Sequence, residues 1–82
     1  MSKVETSLSV PRYVQVARTL FDEIESGRYG VGSLLPTEFE LCAQFGVSRF
    51  TVREAVKQLV HQGLVARQPG VGSRVLARRP VK

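Results

Sequence analysis

Three scarcities bound this chain before any pattern is read in it. Cysteine occurs once, at Cys42, and histidine once, at His61. A lone cysteine excludes an internal disulfide, and one cysteine with one histidine excludes a conventional structural zinc site. With only scattered carboxylates beside them, no nucleophile–base pair or metal cluster can be assembled, so neither an enzyme nor a cofactor is expected. Long apolar runs are also missing, which argues against a membrane span. The opening MSKVETSLSVPRY lacks the apolar stretch of a secretory signal. The expectation is a cytoplasmic protein with no membrane partner. The third scarcity is acid in the second half, where Glu54 is the one carboxylate after residue 48.

What is present fits a packed domain. The chain has 82 residues, 43% of them hydrophobic, which suits one small domain rather than a disordered tail. Residues 1–48 carry four Lys/Arg and six Asp/Glu, net −2; residues 49–82 carry eight Lys/Arg and Glu54, net +7. Such asymmetry points the second half toward a polyanion. Solubility alone is the plainer explanation of the same charge.

Residues 1–9 are polar and without period, and read as a flexible leader. Val10-Pro11 opens a helix, since proline suits a first turn where its missing N–H is not needed. Val14, Ala17, Phe21 and Ile24 recur at helical spacing, with Tyr13, Val16 and Leu20 beside them. Gly27 is the expected left-handed stop. Asp22, Glu23 and Glu25 read as a solvated face, not a site. Gly30 and Gly32 mark a loop, after which Leu34-Leu35 can form a very short strand. Thr37 and Glu40 have capping-box spacing at the start of a second helix. Phe39, Leu41, Cys42 and Phe45 supply its apolar contacts, and Gly46 ends it.

Gly46-Val47-Ser48 then reverses the chain, with Ser48 as N-cap of a third helix over 48–62. Val52, Ala55, Val56 and Leu59 share one face, with Val60 at its margin. Phe50, Glu54, Lys57 and His61 point the opposite way, and Arg49, Thr51 and Arg53 lie on the flanks. Gly63 is the stop. Leu64–Gln68 and Ser73–Leu76 read as two strands around the turn Pro69-Gly70-Val71-Gly72. The fold class expected is mainly α with a small β-hairpin: three helices plus a two- or three-stranded antiparallel wing.

A helix that enters a DNA major groove needs a partner helix to fix its angle, small residues at the crossing, and donors at its exposed end. Cys42 and Ala55 are small, Gly46 permits the turn, and Val47 and Val52 can fill the space between helices. Arg49 can give two hydrogen bonds to guanine O6 and N7. Ser48 and Thr51, with the amides of the first turn, suit phosphate oxygens, as does Thr37 at the second helix's start. Arg53 can reach a phosphate or a base, and Lys57 lies further along the exposed face. Phe50 has two readings: contact with a thymine methyl, or packing against the loop or wing. Gly70 and Gly72 let the wing tip approach a sugar-phosphate backbone, with Arg67 and Arg74 flanking it. Cys42 reads as a small apolar residue, and His61 as a side chain favoured by the helix C-terminus. The glycine turn joins two strands, so it is not a nucleotide-binding loop.

Leu35-Pro36-Thr37-Glu38, Glu40-Leu41, Phe45-Gly46-Val47-Ser48-Arg49, Thr51-Val52-Arg53 and Ala55, continuing through Leu59, Gly63-Leu64, Arg67, Gly70, Gly72 and Val75, resemble the DNA-binding domain of GntR-family bacterial transcription regulators. Upstream, Pro11–Ala17, Ser26-Gly27-Arg28 and Gly32 fit as well, so the likeness spans residues 10–76. It implies a winged helix-turn-helix that binds operator DNA, an inverted repeat, with helix 48–62 in the major groove and wing 64–76 on the backbone or minor groove. It implies a homodimer in the full-length protein and contacts through Ser48, Arg49, Thr51, Arg53 and Gly70. Phe39 stands where the family often has a DNA-contacting arginine, and Phe50 and Pro69 replace more usual polar residues. Residues 77–82 then read as the start of a linker to an effector-binding domain absent from this chain. The short wing running into a basic segment resembles the HutC-type branch. A winged helix that binds protein instead of DNA is the competing expectation; it would show an apolar or acidic face where this chain has Arg49, Arg53 and Lys57.

Overall fold

The computed structural model describes residues 10–80. The expected leader, residues 1–9, and the last two residues lie outside the described part. Three helices, α1 (Arg12–Glu25), α2 (Glu38–Phe45) and α3 (Arg49–His61), are followed by an antiparallel hairpin of β1 (Val65–Gln68) and β2 (Gly72–Val75). Among the described residues no helix is long and apolar enough to cross a membrane.

Each helix begins and ends where local chemistry dictates. The Pro11 carbonyl, at the N-cap of α1, accepts from the amides of Val14 and Gln15. At the other end Gly27 takes φ 92°, which lets the Arg28 amide donate to the Glu23 carbonyl and the Gly27 amide to that of Ile24. This paired closure satisfies carbonyls that the helix end would otherwise strand. Helix α2 has a full capping box: Thr37 Oγ1 accepts the Glu40 amide at 3.1 Å and the Thr37 amide donates to Glu40 Oε1 at 2.9 Å. Gly46 closes α2 in the left-handed region. Ser48 caps α3 by accepting the Thr51 amide at 3.2 Å.

The core forms where the three helices and the hairpin meet. Val52, Ala55, Val56 and Leu59 of α3 are buried, as their spacing predicts. They pack against Val16, Ala17, Leu20 and Ile24 of α1, Leu41 of α2, and Leu64, Val65 and Val75 beside the hairpin. Two sequence expectations shift. The buried stripe of α1 centres on Val16 and Leu20, leaving Val14 and Phe21 only half-buried. Phe39 does not join the core; it is 81% exposed. Leu41 lies about 200° round the helix from Phe39, so burying the first turns the second outward.

The hairpin pairs Val65 with Val75, Ala66 with Arg74, Arg67 with Ser73 and Gln68 with Gly72. The Val71 amide donates to the Gln68 carbonyl at 2.8 Å, closing a turn with Pro69 and Gly70 at its centre. Gly70 has φ 76°, the sign a type II turn demands at that position. The segment before α2 lies along the free edge of β2. Gly32 and Leu35 donate to the carbonyls of Val75 and Ser73, and Val75 donates back to Ser33. One isolated bridge, Leu34 to Arg74, results, so this third piece of the wing is shorter than a strand.

Candidate nucleic-acid interface

The N-terminal turn of α3 is held at the surface by three local devices. Gly46 reverses the chain, Val47 is half-buried against the core, and Ser48 starts the next helix. The amides of Arg49 and Phe50, first and second in the helix, have no intrahelical acceptor and face outward with the positive end of the helix dipole. Ser48 Oγ is within 3.1 Å of Thr51 Oγ1, so the two hydroxyls are coupled at the helix mouth.

Around that turn stand the arginines. Arg49 and Arg53 keep side-chain exposures of 71% and 54%, so the cationic turn is neither internal nor covered. The charge is organised by a carboxylate. Glu38, first residue of α2, places Oε1 at 3.3 Å from Arg53 Nε and 4.0 Å from Arg49 Nε, and Oε2 at 2.7 Å from Arg67 Nη2. One carboxylate thus ties α2, α3 and the wing together. Nothing local in the sequence marks Glu38 for this, because its three partners become neighbours only in the folded chain.

The wing splits its two arginines. Side chains alternate along a strand, so Arg67 shares the helix-facing side with buried Val65, whereas Arg74 takes the opposite side. Arg74 is half-buried there, with Nε donating to Gln68 Oε1 at 2.9 Å and Nη1 to the Gly32 carbonyl at 2.7 Å. It pins the loop to the wing, and the structure does not bring it to the surface formed by Arg49, Arg53 and Arg67. Gly70 and Gly72 lie exposed at the wing tip, as expected. An open groove of about 690 Å³ lies between α2 and the wing, lined by Thr37, Glu38, Phe39, Arg53, Arg67 and Val71 among others.

The remaining candidates divide in the same way. Thr37 is exposed while its oxygen serves the cap, leaving the hydroxyl proton to donate outward. Lys57 is 69% exposed and lies 3.4 Å from Glu54. Phe50 is 70% exposed and is not among the hydrophobic residues packed against the core. No group of three or more metal-ligating side chains occurs among the described residues. Away from this surface, burial and the nearby Glu23 carboxylate push the Tyr29 phenol above its ordinary value.

Helix, turn, capped helix and wing, with cations on the outer face, define a winged helix-turn-helix module. The model of the family described as "Bacterial regulatory proteins, gntR family" matches residues 12–75, and the chain belongs to that family. It is 45% identical over 65 residues to the uncharacterized HTH-type transcriptional regulator YurK of Bacillus subtilis, covering 79% of this chain and 27% of that protein. It is 42% identical over 67 residues to the probable fructoselysine utilization operon transcriptional repressor of Escherichia coli, covering 82% of this chain and 28% of that one. The chain therefore spans little more than a quarter of these relatives' length. The solved DNA-binding domain of AraR in complex with operator ORR3 superposes with a TM-score of 0.78 at 42% identity, covering 80% of each chain.

Proposed function

We propose that this chain binds double-stranded operator DNA sequence-specifically, as the DNA-binding domain of a bacterial transcription regulator. The observation that carries the reading is the exposed, capped N-terminal turn of α3, with Arg49 and Arg53 projecting beside Arg67. In this reading α3 lies in the major groove and the wing tip at Gly70 and Gly72 on the backbone or minor groove. Arg49 reads a guanine, while Thr37, Ser48, Thr51 and the first amides of α3 meet phosphates. Arg53, Lys57 and Arg67 neutralise phosphate charge. The AraR domain, which resembles this chain over the whole module, is solved on its operator, which supports the assignment.

We infer a wider context as well, supported by the likeness to the family. A homodimer reads an inverted repeat, each copy one half-site. A small effector acts through a C-terminal domain outside this chain, which residues 77–82 would join, and the HutC-type branch is the one that the short wing fits best. Such a protein works in the cytoplasm, where its DNA is.

Fluorescence anisotropy on labelled duplexes tests the reading across a salt series. If three cations each displace one phosphate counterion, affinity falls roughly 40-fold between 50 and 200 mM salt, at a slope of about −0.9 per contact. No binding to any duplex at low salt refutes it and returns the fold to protein recognition.

A further inference from the structure

Phe50 is an anomaly on this surface. It occupies the second position of α3 and is 70% exposed. Its helical angle lies opposite the buried stripe of Val52, Ala55, Val56 and Leu59, so it sits at the centre of the outward face. Arg49 precedes it, and Glu54 and Lys57 lie one and two turns further along the same face. Its ring is not part of the hydrophobic core, and Arg49, Arg53, Glu54 and Lys57 stand around it on the outward face of the helix. At a binding face, such a phenyl gains free energy from the partner only where the partner offers an apolar counterpart to bury against it.

A major groove offers one such group. Base edges there present N7, O6, O4 and amino groups, and the thymine C5-methyl alone is apolar. A phenyl wedged between base steps belongs to minor-groove binding, whereas α3 is a major-groove element in this reading. We propose that Phe50 is a specificity-determining residue that reads a thymine C5-methyl beside the guanine contacted by Arg49. The inference rests on the DNA-binding reading above and refines it. The consequence is an operator half-site with a thymine next to its critical guanine, on either strand.

The test begins with duplexes selected from a random pool by the wild-type chain. Each thymine of the recovered half-site is then replaced singly by deoxyuridine, which removes the methyl and keeps every hydrogen bond. Burial of one carbon at about 0.8 kcal/mol converts to about fourfold weaker binding at the position Phe50 reads, and to little change elsewhere. The Phe50→Ala variant keeps its melting temperature, because the ring packs on little, and binds thymine and deoxyuridine duplexes alike. Wild-type indifference to every deoxyuridine overturns the proposal while leaving DNA binding intact. So does undiminished discrimination in Phe50→Ala, or a dimer of this chain that Phe50→Ala dissolves with DNA affinity unchanged. Failure to recover any duplex overturns the DNA-binding reading itself, and this inference with it.

Discussion

Replacing Glu38 by Gln isolates the one carboxylate that three arginines share. The side chain keeps its size and an accepting oxygen but loses its charge. The closest pair, with Arg67 at 2.7 Å, joins side chains 45% and 29% exposed; the pair with Arg53, at 3.3 Å, involves one 54% exposed. Arg49, at 4.0 Å, is held loosely. Solvent screens pairs this open to about 0.2–1 kcal/mol each. The summed loss of stability is therefore about 1 kcal/mol, or roughly 4–8 °C in Tm for a domain of this size. The effect on DNA runs in two directions. Formal charge rises from +5 to +6, so binding to arbitrary duplex strengthens. The guanidinium groups lose the fixed orientation that lets them form paired bonds at little entropic cost, so binding to the selected operator weakens. The ratio of selected to scrambled affinity is expected to fall about tenfold, the equivalent of about 1.4 kcal/mol. Anisotropy titrations on both duplexes, with thermal melting of the same samples, measure it. An unchanged ratio with a lowered Tm would refute the reasoning and reduce Glu38 to a structural ion pair.

Three further outcomes follow from the geometry. Arg49→Ala should relax base preference at one half-site position by about 1–3 kcal/mol, seen as loss of one guanine from the sequences recovered by selection. Ser48→Ala removes the cap of α3 and should cost about 1 kcal/mol of stability, measured by urea unfolding. Tyr29 holds its proton more tightly when folded, because burial disfavours the phenolate and Glu23 repels it. The stability it contributes is complete below the ordinary tyrosine value near 10 and is lost as pH rises through the raised folded value. The melting temperature of wild type relative to Tyr29→Phe should therefore decline only above about pH 10.

Features decided by a few neighbouring residues were legible in the sequence. The caps at Thr37 and Ser48, the left-handed stops at Gly27, Gly46 and Gly63, and the Pro69-Gly70 turn each follow from short-range chemistry. The buried stripe of α3 was legible too, because its apolar residues form one narrow band. Helix α1 was harder to read. Its apolar residues cover more than one face, and α3 decides which are sealed, favouring Val16 and Leu20 over Val14 and Phe21. Hydrophobicity alone places Phe39 with the apolar contacts of α2, because it does not say which way a one-sided helix turns. Arg67 and Arg74 looked equivalent beside the turn. The register that buries Val65 against Val75 sends them to opposite faces, one toward Glu38 and one toward Gly32. Glu38 was invisible as an organiser because its partners lie 11, 15 and 29 residues away along the chain.

The central claim is that the first turn of α3 is the surface that meets DNA. Backbone amide shifts of the labelled chain, followed while a selected duplex is added, test it most directly. The account predicts the largest changes at Ser48–Arg53, with a second set at Arg67–Gly72. Changes confined to the outer face of α1, with Ser48–Arg53 undisturbed, would contradict it.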